Sequence, residues 1–589
     1  MTIPHSATWH WRIAATGCAL LLAACHRPAI RAATTTPDLD AEFDAAVAEL
    51  LPRYWRLFPT EATAAGVHDH DGELEDLSAA GIARARALFA GTLARIEPLA
   101  PDALSLERRV DREILLGWLR WRLLDLDRLQ SWKTSPGLYV DLASNAVFNL
   151  FVRESAPAMD RARAVQARLG KMPRLFDAAR ANLDDGVSRL AVETAIRDAQ
   201  GAVAFFDGGV RDFLGAAMQG DAALTQALED EDAAASAVKS FLAFLEKDLL
   251  PRARGSYALG RELFVLKSKH ANGVDLSPEE IAARGAAEVE RLRAEMAGVA
   301  SQLLPGGSVA DAIARAGRDH PTAERLIAAY RERQDELRAF VVDRKLATIP
   351  GQDKLVLMET PEFARSMISA AVFTAGAFET VDPTTYYVVT PVEATLPKPE
   401  QEAQLVVDHA LGLIDVVSIH EAYPGHHVAH LHALAVPSPT RKLVSHWVFD
   451  EGWAHYAEQM VVDAGYHAGP AIRIFQQKDA LLRACRMVVD PKIALGEMTW
   501  EDARAYFESR CHQGAVTAEM EARRAALNPA TVYTYTLGKL WIQALAEKER
   551  KRLSASFALG EFHDRLLAHG SVPLPLLAKA YFGVTLGVP

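Results

Sequence analysis

Apolar residues recur at intervals of three and four positions through most of the chain from Leu39 onward. This is the period of an α-helix that buries one face. The pattern is clearest in five segments, at residues 39–57, 80–97, 104–130, 159–184 and 188–215. Alanine, leucine, arginine and glutamate, which all favour helices, dominate these segments. The sequence therefore predicts a mainly α-helical body, built as a stack of long helices.

Capping residues mark the starts of two further helices. In Ser277-Pro278-Glu279-Glu280 the serine can cap the helix, the proline suits the first helical position, and Glu280 can return a hydrogen bond to the serine. Thr499-Trp500-Glu501-Asp502 has a similar arrangement, with aspartate in the acidic position. We therefore expect helices that begin directly after Ser277 and Thr499.

Two short segments depart from the helical pattern, at residues 353–358 and 385–391. They are too short and too rich in β-branched and aromatic residues for helices. Gly306-Gly307, after Pro305, marks a loop. We expect a small β-sheet that flanks the helical body near the helix containing His420.

The N-terminus has the features of a secretory signal. Arg12 precedes an apolar run at 13–24, which is too short to span a membrane. The run ends in Leu-Ala-Ala-Cys25, which resembles a bacterial lipobox, and the residues after Cys25 favour the outer membrane over the inner one. We predict a lipoprotein signal at 1–25, a tether at 26–38, and a lipid-anchored protein of the bacterial cell envelope. An ordinary cleaved signal is the alternative.

Composition excludes one class of partner. The net charge is −12 and no basic stripe is present, which argues against nucleic acid. No later segment is long and apolar enough for a membrane helix, so the lipid would be the only membrane anchor.

Two cysteines, Cys485 and Cys511, follow the predicted signal. They could form a disulfide or remain buried thiols. The sequence leaves the oligomeric state open.

Seven of the 19 histidines lie between His420 and His455. The segment 420–427 reads HEAYPGHH, and Glu451-Gly452-Trp453 follows 24 residues after His427. Zinc hydrolases commonly place two histidines four residues apart on one helix. Here the residue four after His420 is Pro424, so that motif is interrupted.

Two residues compete to be the second histidine ligand. If Pro424-Gly425 forms a bulge in the helix, His426 can reach a metal held by His420. On a straight helix His427 would share the face of His420 but lie about 10 Å farther along, which is too far for one metal. We therefore favour His426 and keep His427 as a competitor, or as a group that supports a ligand or binds substrate.

Carboxylates complete the candidate site. Glu421 suits the general base that takes a proton from metal-bound water, and Glu451 suits the third ligand of a His, His, Glu zinc site. Glu458 shares a helix face with Glu451 and could orient a ligand histidine. We expect His430 and His432 to lie on a solvated face. The alternative interpretation of His420, Glu421 and Glu451 is a buried polar network without catalysis.

HEAYPGHH at 420–427 and EGWAHYAE at 451–458 resemble the two most distinctive stretches of the bacterial family called domain of unknown function 885. Further matches lie in 58–78, at 386–388, and in 486–490 and 524–538. The resemblance implies a zincin-like helical fold similar to the M3 and M32 zinc peptidases, and peptidase activity. It also implies that Tyr535 donates a hydrogen bond to an oxyanion. Arg486, Asp490 and Arg524 would support the site or bind substrate.

The chain departs from the family at Ala494, where relatives commonly carry a histidine, and at Thr531, where glutamine is frequent. Our leading hypothesis is a Zn²⁺-dependent metallopeptidase that acts on peptides. Residues 39–270 would form an N-terminal helical region and 271–589 a catalytic region, joined as one cleft-bearing unit. The alternatives are a non-catalytic lipoprotein that binds peptides or proteins, which the loss at Ala494 favours, and a metal-dependent amidase acting on a non-peptide substrate.

Overall fold

Helices make up most of the fold, as the apolar period predicts. The computed structural model describes residues 38–351, 353–360 and 370–589. The signal, Cys25 and nearly all of the tether therefore lie outside the described residues. Leu39–Pro589 forms one compact unit.

The N-terminal half consists of short and medium helices. They are α1 (Leu39–Leu57), α2 (Pro59–Ala65), α3 (Ala79–Ile96), α4 (Leu106–Leu124), α5 (Ser131–Thr134), α6 (Gly137–Val152), α7 (Ala158–Leu169), α8 (Met172–Asn182), α9 (Arg189–Phe205), α10 (Arg211–Ala217), α11 (Leu224–Phe244), α12 (Leu250–Arg252) and α13 (Arg261–Asn272).

The C-terminal half contains the longest helices and the sheet. Its helices are α14 (Pro278–Leu303), α15 (Val309–Gly317), α16 (Leu326–Asp343), α17 (Lys398–Asp408), α18 (Leu411–Glu421), α19 (His426–Ala435), α20 (Pro439–Leu443), α21 (Trp447–Asp463), α22 (Pro470–Ala494), α23 (Trp500–Cys511), α24 (Ala515–Leu527), α25 (Thr534–Leu553), α26 (Leu559–Leu567) and α27 (Leu574–Leu577). Both predicted capping boxes are confirmed, at the starts of α14 and α23.

Three of the predicted long helices are interrupted. The segment 159–184 forms α7 and α8, because Pro173 lacks an N–H and lies in the first turn of α8. The segment 188–215 contains a π-helical turn, Phe206–Val210, between α9 and α10. In 104–130, α4 likewise ends in a π-helical turn, Asp125–Leu129.

The sheet has three strands in the order β1, β3, β2. The strands are β1 (Leu355–Glu359), β2 (Ala370–Phe373) and β3 (Thr385–Val389). β1 is parallel to β3, with Leu355 opposite Thr385, and β2 is antiparallel to β3, with Val372 opposite Tyr387. The sequence predicted β1 and β3 but missed the edge strand β2, which packs against α18.

The largest buried apolar cluster surrounds α14, α21, α22 and α25, the helices behind the histidine-rich segment. Cys485 and Cys511 form a disulfide that joins α22 to α23, with their Cα atoms 6.5 Å apart. Among the described residues no single helix is long and apolar enough to cross a membrane. Among these residues, one bent pair of helices is long and apolar enough when its members are taken together: Lys398–Asp408 and Leu411–Ala435, with a bend of 51° between them.

Candidate metal centre

The HEAYPGHH segment forms a tight turn between two helices, where the sequence predicted a bulge within one helix. Helix α18 ends at Glu421, the Tyr423–Pro424 peptide bond is cis, and α19 begins at His426. The N–H of Gly425 donates to Ile419 O at 3.0 Å. A Cβ on Gly425 would lie 1.8 Å from the carbonyl oxygen of His420, so only glycine fits this turn.

Helix α21 packs against this turn and brings a carboxylate to it. Trp453 Nε1 donates to the carbonyl oxygen of Pro424 at 2.9 Å. Glu451 lies two residues earlier on the same helix, and its Oε2 is 3.5 Å from His420 Nε2 and 3.3 Å from His426 Nε2. The turn and the helix together therefore direct His420, His426 and Glu451 toward one point.

These three residues form a group with the dimensions of a metal site. One ligand atom from each lies within 4.8 Å of the others, and the two imidazole rings are perpendicular, with centroids 4.7 Å apart. Glu451 Oε2 is buried and makes no hydrogen bond within the described chain. Two imidazole nitrogens and a carboxylate oxygen match the donor set of catalytic zinc sites.

The histidines and carboxylates of this cluster shift one another's pKa values. Burial alone would raise the pKa of Glu451, but His426 and His420 outweigh it and hold that pKa well below its ordinary value. Burial would lower the pKa of His420, but the nearby carboxylates of Glu451 and Glu458 raise it to about 9. A divalent cation would replace the positive charge that these carboxylates now stabilise on His420.

Glu458 fixes the orientation of His420. His420 Nδ1 donates to Glu458 Oε1 at 2.7 Å, which directs Nε2 toward Glu451. Glu458 is fully buried and also contacts His455 Nδ1 at 3.1 Å and Arg483 Nη2 at 3.1 Å. A carboxylate behind a ligand histidine is a common device for fixing the tautomer and raising the basicity of the ligand.

Glu421 lies between the cluster and the sheet. It directly follows His420 at the end of α18, and its Oε2 accepts a hydrogen bond from the N–H of Val372 at 3.2 Å. Val372 belongs to the edge strand β2. The carboxylate is thus half-buried and held beside the edge of the sheet.

His427 lies apart from the cluster, although the sequence kept it as a competing ligand. Its ring is fully buried and contacts Thr385 Oγ1 at 2.8 Å through Nδ1 and Asp353 Oδ1 at 2.9 Å through Nε2. Tyr423 also donates to Asp353 Oδ1, at 2.7 Å. Both ring nitrogens of His427 are therefore used within the protein. His430 and His432, expected on a solvated face, are half-buried.

Tyr535 lies against the same helix as Glu451. Helices α21 and α25 approach closely at Gly452 and Gly538, where a Cβ on Gly538 would lie 2.0 Å from the carbonyl oxygen of Val448. Burial, followed by the nearby charge of Glu451, raises the pKa of Tyr535. The phenol therefore stays protonated at neutral pH and can donate a hydrogen bond.

The three polar residues that the resemblance implies have different surroundings. Arg486 forms two hydrogen bonds with Glu521, at 2.6 and 2.7 Å, and its guanidinium lies 4.7 Å from the ring of Tyr535. Arg524 Nη2 donates to the Tyr535 hydroxyl oxygen at 2.9 Å. Asp490 accepts hydrogen bonds from three backbone N–H groups between Ala530 and Tyr533, so it holds the turn that leads into α25.

Sequence reasoning missed Arg483, Val372 and Glu521. Arg483 lies one helical turn before Arg486, which was a usable signal, whereas the positions of Val372 and Glu521 depend on long-range packing. Ala494 lies 11 residues after Arg483 on α22, about 16 Å along the axis, and its carbonyl accepts from Gly260 N at 2.8 Å. The departure from the family at Ala494 is therefore remote from the cluster.

One known family matches the chain over most of its length. The sequence pattern of DUF885, described as a bacterial protein of unknown function, matches residues 59–580. The chain belongs to the DUF885 family. A search of curated proteins finds no match.

Two solved structures share the fold of this DUF885 protein. "A putative lipoprotein of unknown function from Shewanella oneidensis" is 25% identical, with a TM-score of 0.76 over 91% of this chain and 99% of that one. "The putative lipoprotein from Colwellia psychrerythraea" is 18% identical, with a TM-score of 0.77 over 92% and 98%. Their descriptions are consistent with a location in the cell envelope.

Proposed function

We propose that this DUF885 protein is a zinc-dependent hydrolase, and specifically a metallopeptidase. The observation that carries the proposal is the convergence of His420, His426 and Glu451, with ligand atoms within 4.8 Å of one another. The surroundings of Glu451 Oε2 support it. This buried atom lies 3.3 and 3.5 Å from two imidazole nitrogens but makes no hydrogen bond of normal geometry among the described residues, which is costly in a protein interior. The helical fold around an HE…EGW site also supports kinship with the M3 and M32 zinc peptidases.

When bound by these residues, zinc would polarise the scissile carbonyl and lower the pKa of a water molecule. Glu421, next to His420, would take a proton from the attacking water and deliver it to the leaving nitrogen as the C–N bond breaks. Tyr535 would donate its O–H to the oxyanion that forms on the carbonyl oxygen. Glu458 would hold His420 in the tautomer that ligation requires.

Cys25 would anchor the enzyme by lipid, which favours a substrate in the cell envelope and most simply a protein at the outer membrane. The alternative proposal is a non-catalytic binding protein. The sequence supports it because Ala494 stands where relatives commonly carry a histidine. That support is weak, because Ala494 lies about 16 Å along α22 from the residue that contacts Glu458. A non-peptide amide would suit the same chemistry.

Metal analysis and proteolysis of the purified protein test the proposal. We expect about one zinc per chain, and cleavage of a peptide library that stops with a chelator and returns with added zinc. Glu421→Gln should retain zinc and lose cleavage by at least about a hundredfold. Protein that neither contains nor takes up zinc would overturn the proposal.

A further inference from the structure

Three arginines surround Tyr535, and one of them differs from the other two. Arg483 is paired with Glu458 and Asp479, and Arg486 with Glu521. Arg524 lies over the same ring, with its guanidinium 5.7 Å from the ring centroid. Within the described part of the chain, no carboxylate lies within ion-pair distance of Arg524. Its hydrogen-bond partner there is the Tyr535 hydroxyl.

Among the described residues, this half-buried guanidinium uses one of its N–H donors, in the hydrogen bond to Tyr535. Arginine carries five N–H donors, stays charged in proteins, and matches carboxylates through two parallel hydrogen bonds. A partly desolvated cation of this kind is well suited to receive an anionic group from a ligand.

Arg524 lies close to the proposed metal ligands. Its guanidinium is 6.0 Å from the ring of Trp447, whose ring is 6.4 Å from that of Tyr535. Trp447 and Glu451 are four residues apart on α21, so they share one face and are separated by about 6 Å along the axis. An extended peptide advances about 3.5 Å per residue. A carboxylate held at Arg524 would thus lie one to three residues from a bond at the cluster.

The surface beside Arg524 is apolar. Val516, Met520 and Arg524 are spaced four residues apart on α24 and therefore lie along one face. Val516 is 86% exposed, Met520 58% and Trp447 42%, which is unusual for large apolar side chains. This surface continues from the arginine and could contact apolar side chains of a bound peptide.

We propose that Arg524 binds the C-terminal carboxylate of the substrate, so that the enzyme removes short segments from peptides with a free C-terminus. The inference rests on the proposed function, because it concerns the substrate of the same site. It assigns Arg524 to substrate binding and leaves Arg486, whose guanidinium is occupied by Glu521, to hold Tyr535 in place. The apolar surface predicts a preference for apolar residues near that C-terminus.

Three probes test the proposal: N-acetyl-Ala-Ala-Leu as the free acid, the same peptide as its amide, and N-acetyl-Ala-Ala-Glu as its amide. The last probe carries a side-chain carboxylate without a terminal one. With zinc-loaded enzyme, we expect kcat/KM for the free acid to exceed that for either amide by at least about thirtyfold, the range found when one partner of a desolvated charge pair is lost.

Variants then assign this preference to one residue. Arg524→Gln should lower kcat/KM for the free acid, mainly through KM, by much more than for the two amides, so that the preference for the free acid disappears. Loss of its hydrogen bond to Tyr535 would lower the rates on all three probes alike and would not change their ratio. Arg524→Lys should restore part of it, because lysine supplies the charge without the two parallel donors. Arg523→Gln is the matched control, since Arg523 is bonded to Glu519 at 2.9 Å and lies over Trp500 rather than Tyr535. It should behave like the wild type.

Calorimetric binding to the Glu421→Gln protein, with and without zinc, separates this proposal from the proposed function. If no peptide is cleaved but the free acid binds more tightly than both amides, and Arg524→Gln removes the difference, the carboxylate site stands and the peptidase does not. The assignment would be overturned if the free acid and the amides had equal kcat/KM and equal affinity, or if the glutamate amide bound as tightly as the free acid. It would also be overturned if no probe bound, or if Arg524→Gln did not change the preference.

Discussion

His426 and His427 are neighbours in the chain but belong to two different regions of the molecule. His426 joins the cluster with His420 and Glu451, and its side chain is 20% exposed. The side chain of His427 is fully buried and joins the network of Asp353, Tyr423 and Thr385 beside the sheet. Successive residues of a helix point about 100° apart, so the first turn of α19 can serve both regions.

The difference shows what distinguishes a candidate ligand from a structural histidine. A metal ligand needs a ring nitrogen whose lone pair is not already used by the protein. Nε2 of His426 lies 3.3 Å from Glu451 Oε2, an atom that makes no hydrogen bond among the described residues. Both nitrogens of His427, in contrast, are hydrogen-bonded to neighbouring side chains. The candidate ligand is therefore distinguished from the structural histidine by a ring nitrogen that is available to a metal, more than by its position in the motif.

Gly425→Ala should disrupt both regions at once and have the largest effect. The added methyl carbon would lie 1.8 Å from the carbonyl oxygen of His420, so the turn must open and move His426 and His427 together. We expect a loss of about 3 kcal/mol in the free energy of unfolding, and loss of zinc binding. Urea denaturation and metal analysis measure the two effects.

Gly298→Ala is the control for that change. Gly298 lies inside α14, and nothing is within 4 Å of the position of its Cβ. Alanine is the better helix former, so this variant should gain about 0.5–1 kcal/mol and leave zinc binding unchanged. Equal behaviour of the two variants would contradict the role given to Gly425.

Separate alanine substitutions should divide the two histidines. His426→Ala should weaken zinc binding by more than the ten- to hundredfold typical of residues that only orient a ligand, with little change in stability. His427→Ala should bind zinc normally but lose about 3 kcal/mol of stability, because it leaves buried polar groups without partners. If His427→Ala instead lost zinc and His426→Ala did not, the roles assigned here to the two histidines would be reversed.

Much of this picture was predictable from local sequence, because local chemistry determines it. Helical periodicity predicted the helical body, Ser277 and Thr499 predicted helix starts, and β1 and β3 were visible as β-rich segments. β2 was not, because Ala370–Phe373 is only four residues long and has no alternating pattern. The π-helical turns likewise leave no clear signal in the sequence.

The choice between the two histidines depends on contacts that are distant in the sequence. His427 is bonded to Asp353, 74 residues away, and the direction of the turn is held by Trp453. The family resemblance implied the same role for Arg486 and Arg524, to support the site or bind substrate, and the position of Glu521 distinguishes them. Tertiary partners of this kind cannot be read from spacing within a motif.

Glu458→Gln tests how strongly the cluster depends on the residue behind it. The amide would replace the carboxylate that now accepts from His420 Nδ1 at 2.7 Å. We expect zinc affinity to fall by about ten- to a hundredfold, less than for loss of His426. Glu549→Gln is the control, because Glu549 is also buried and paired with arginines but makes no contact with the cluster. It should affect stability alone, and a drop in its zinc affinity would show that the effect is not specific.

Asp353→Asn should have the smallest effect and should appear only in the region of His427. Burial would raise the pKa of Asp353, but hydrogen bonds from His427, Arg338 and Tyr423 outweigh it and hold that pKa well below its ordinary value of 3.8. A carboxylate whose pKa is lowered by folding stabilises the protein at pH values above the unfolded-state pKa, and this contribution disappears as the pH falls through the folded-state value. The variant should therefore be less stable than the wild type by about 1 kcal/mol at pH 7, since solvent screens part of the interaction, and the difference should shrink below about pH 4.

Urea denaturation from pH 7 to pH 3 measures this difference in stability, and zinc content at pH 7 should equal that of the wild type. A stability difference that grows toward low pH would mean that Asp353 is not held ionised by His427, and a loss of zinc would mean that the two regions are not separate.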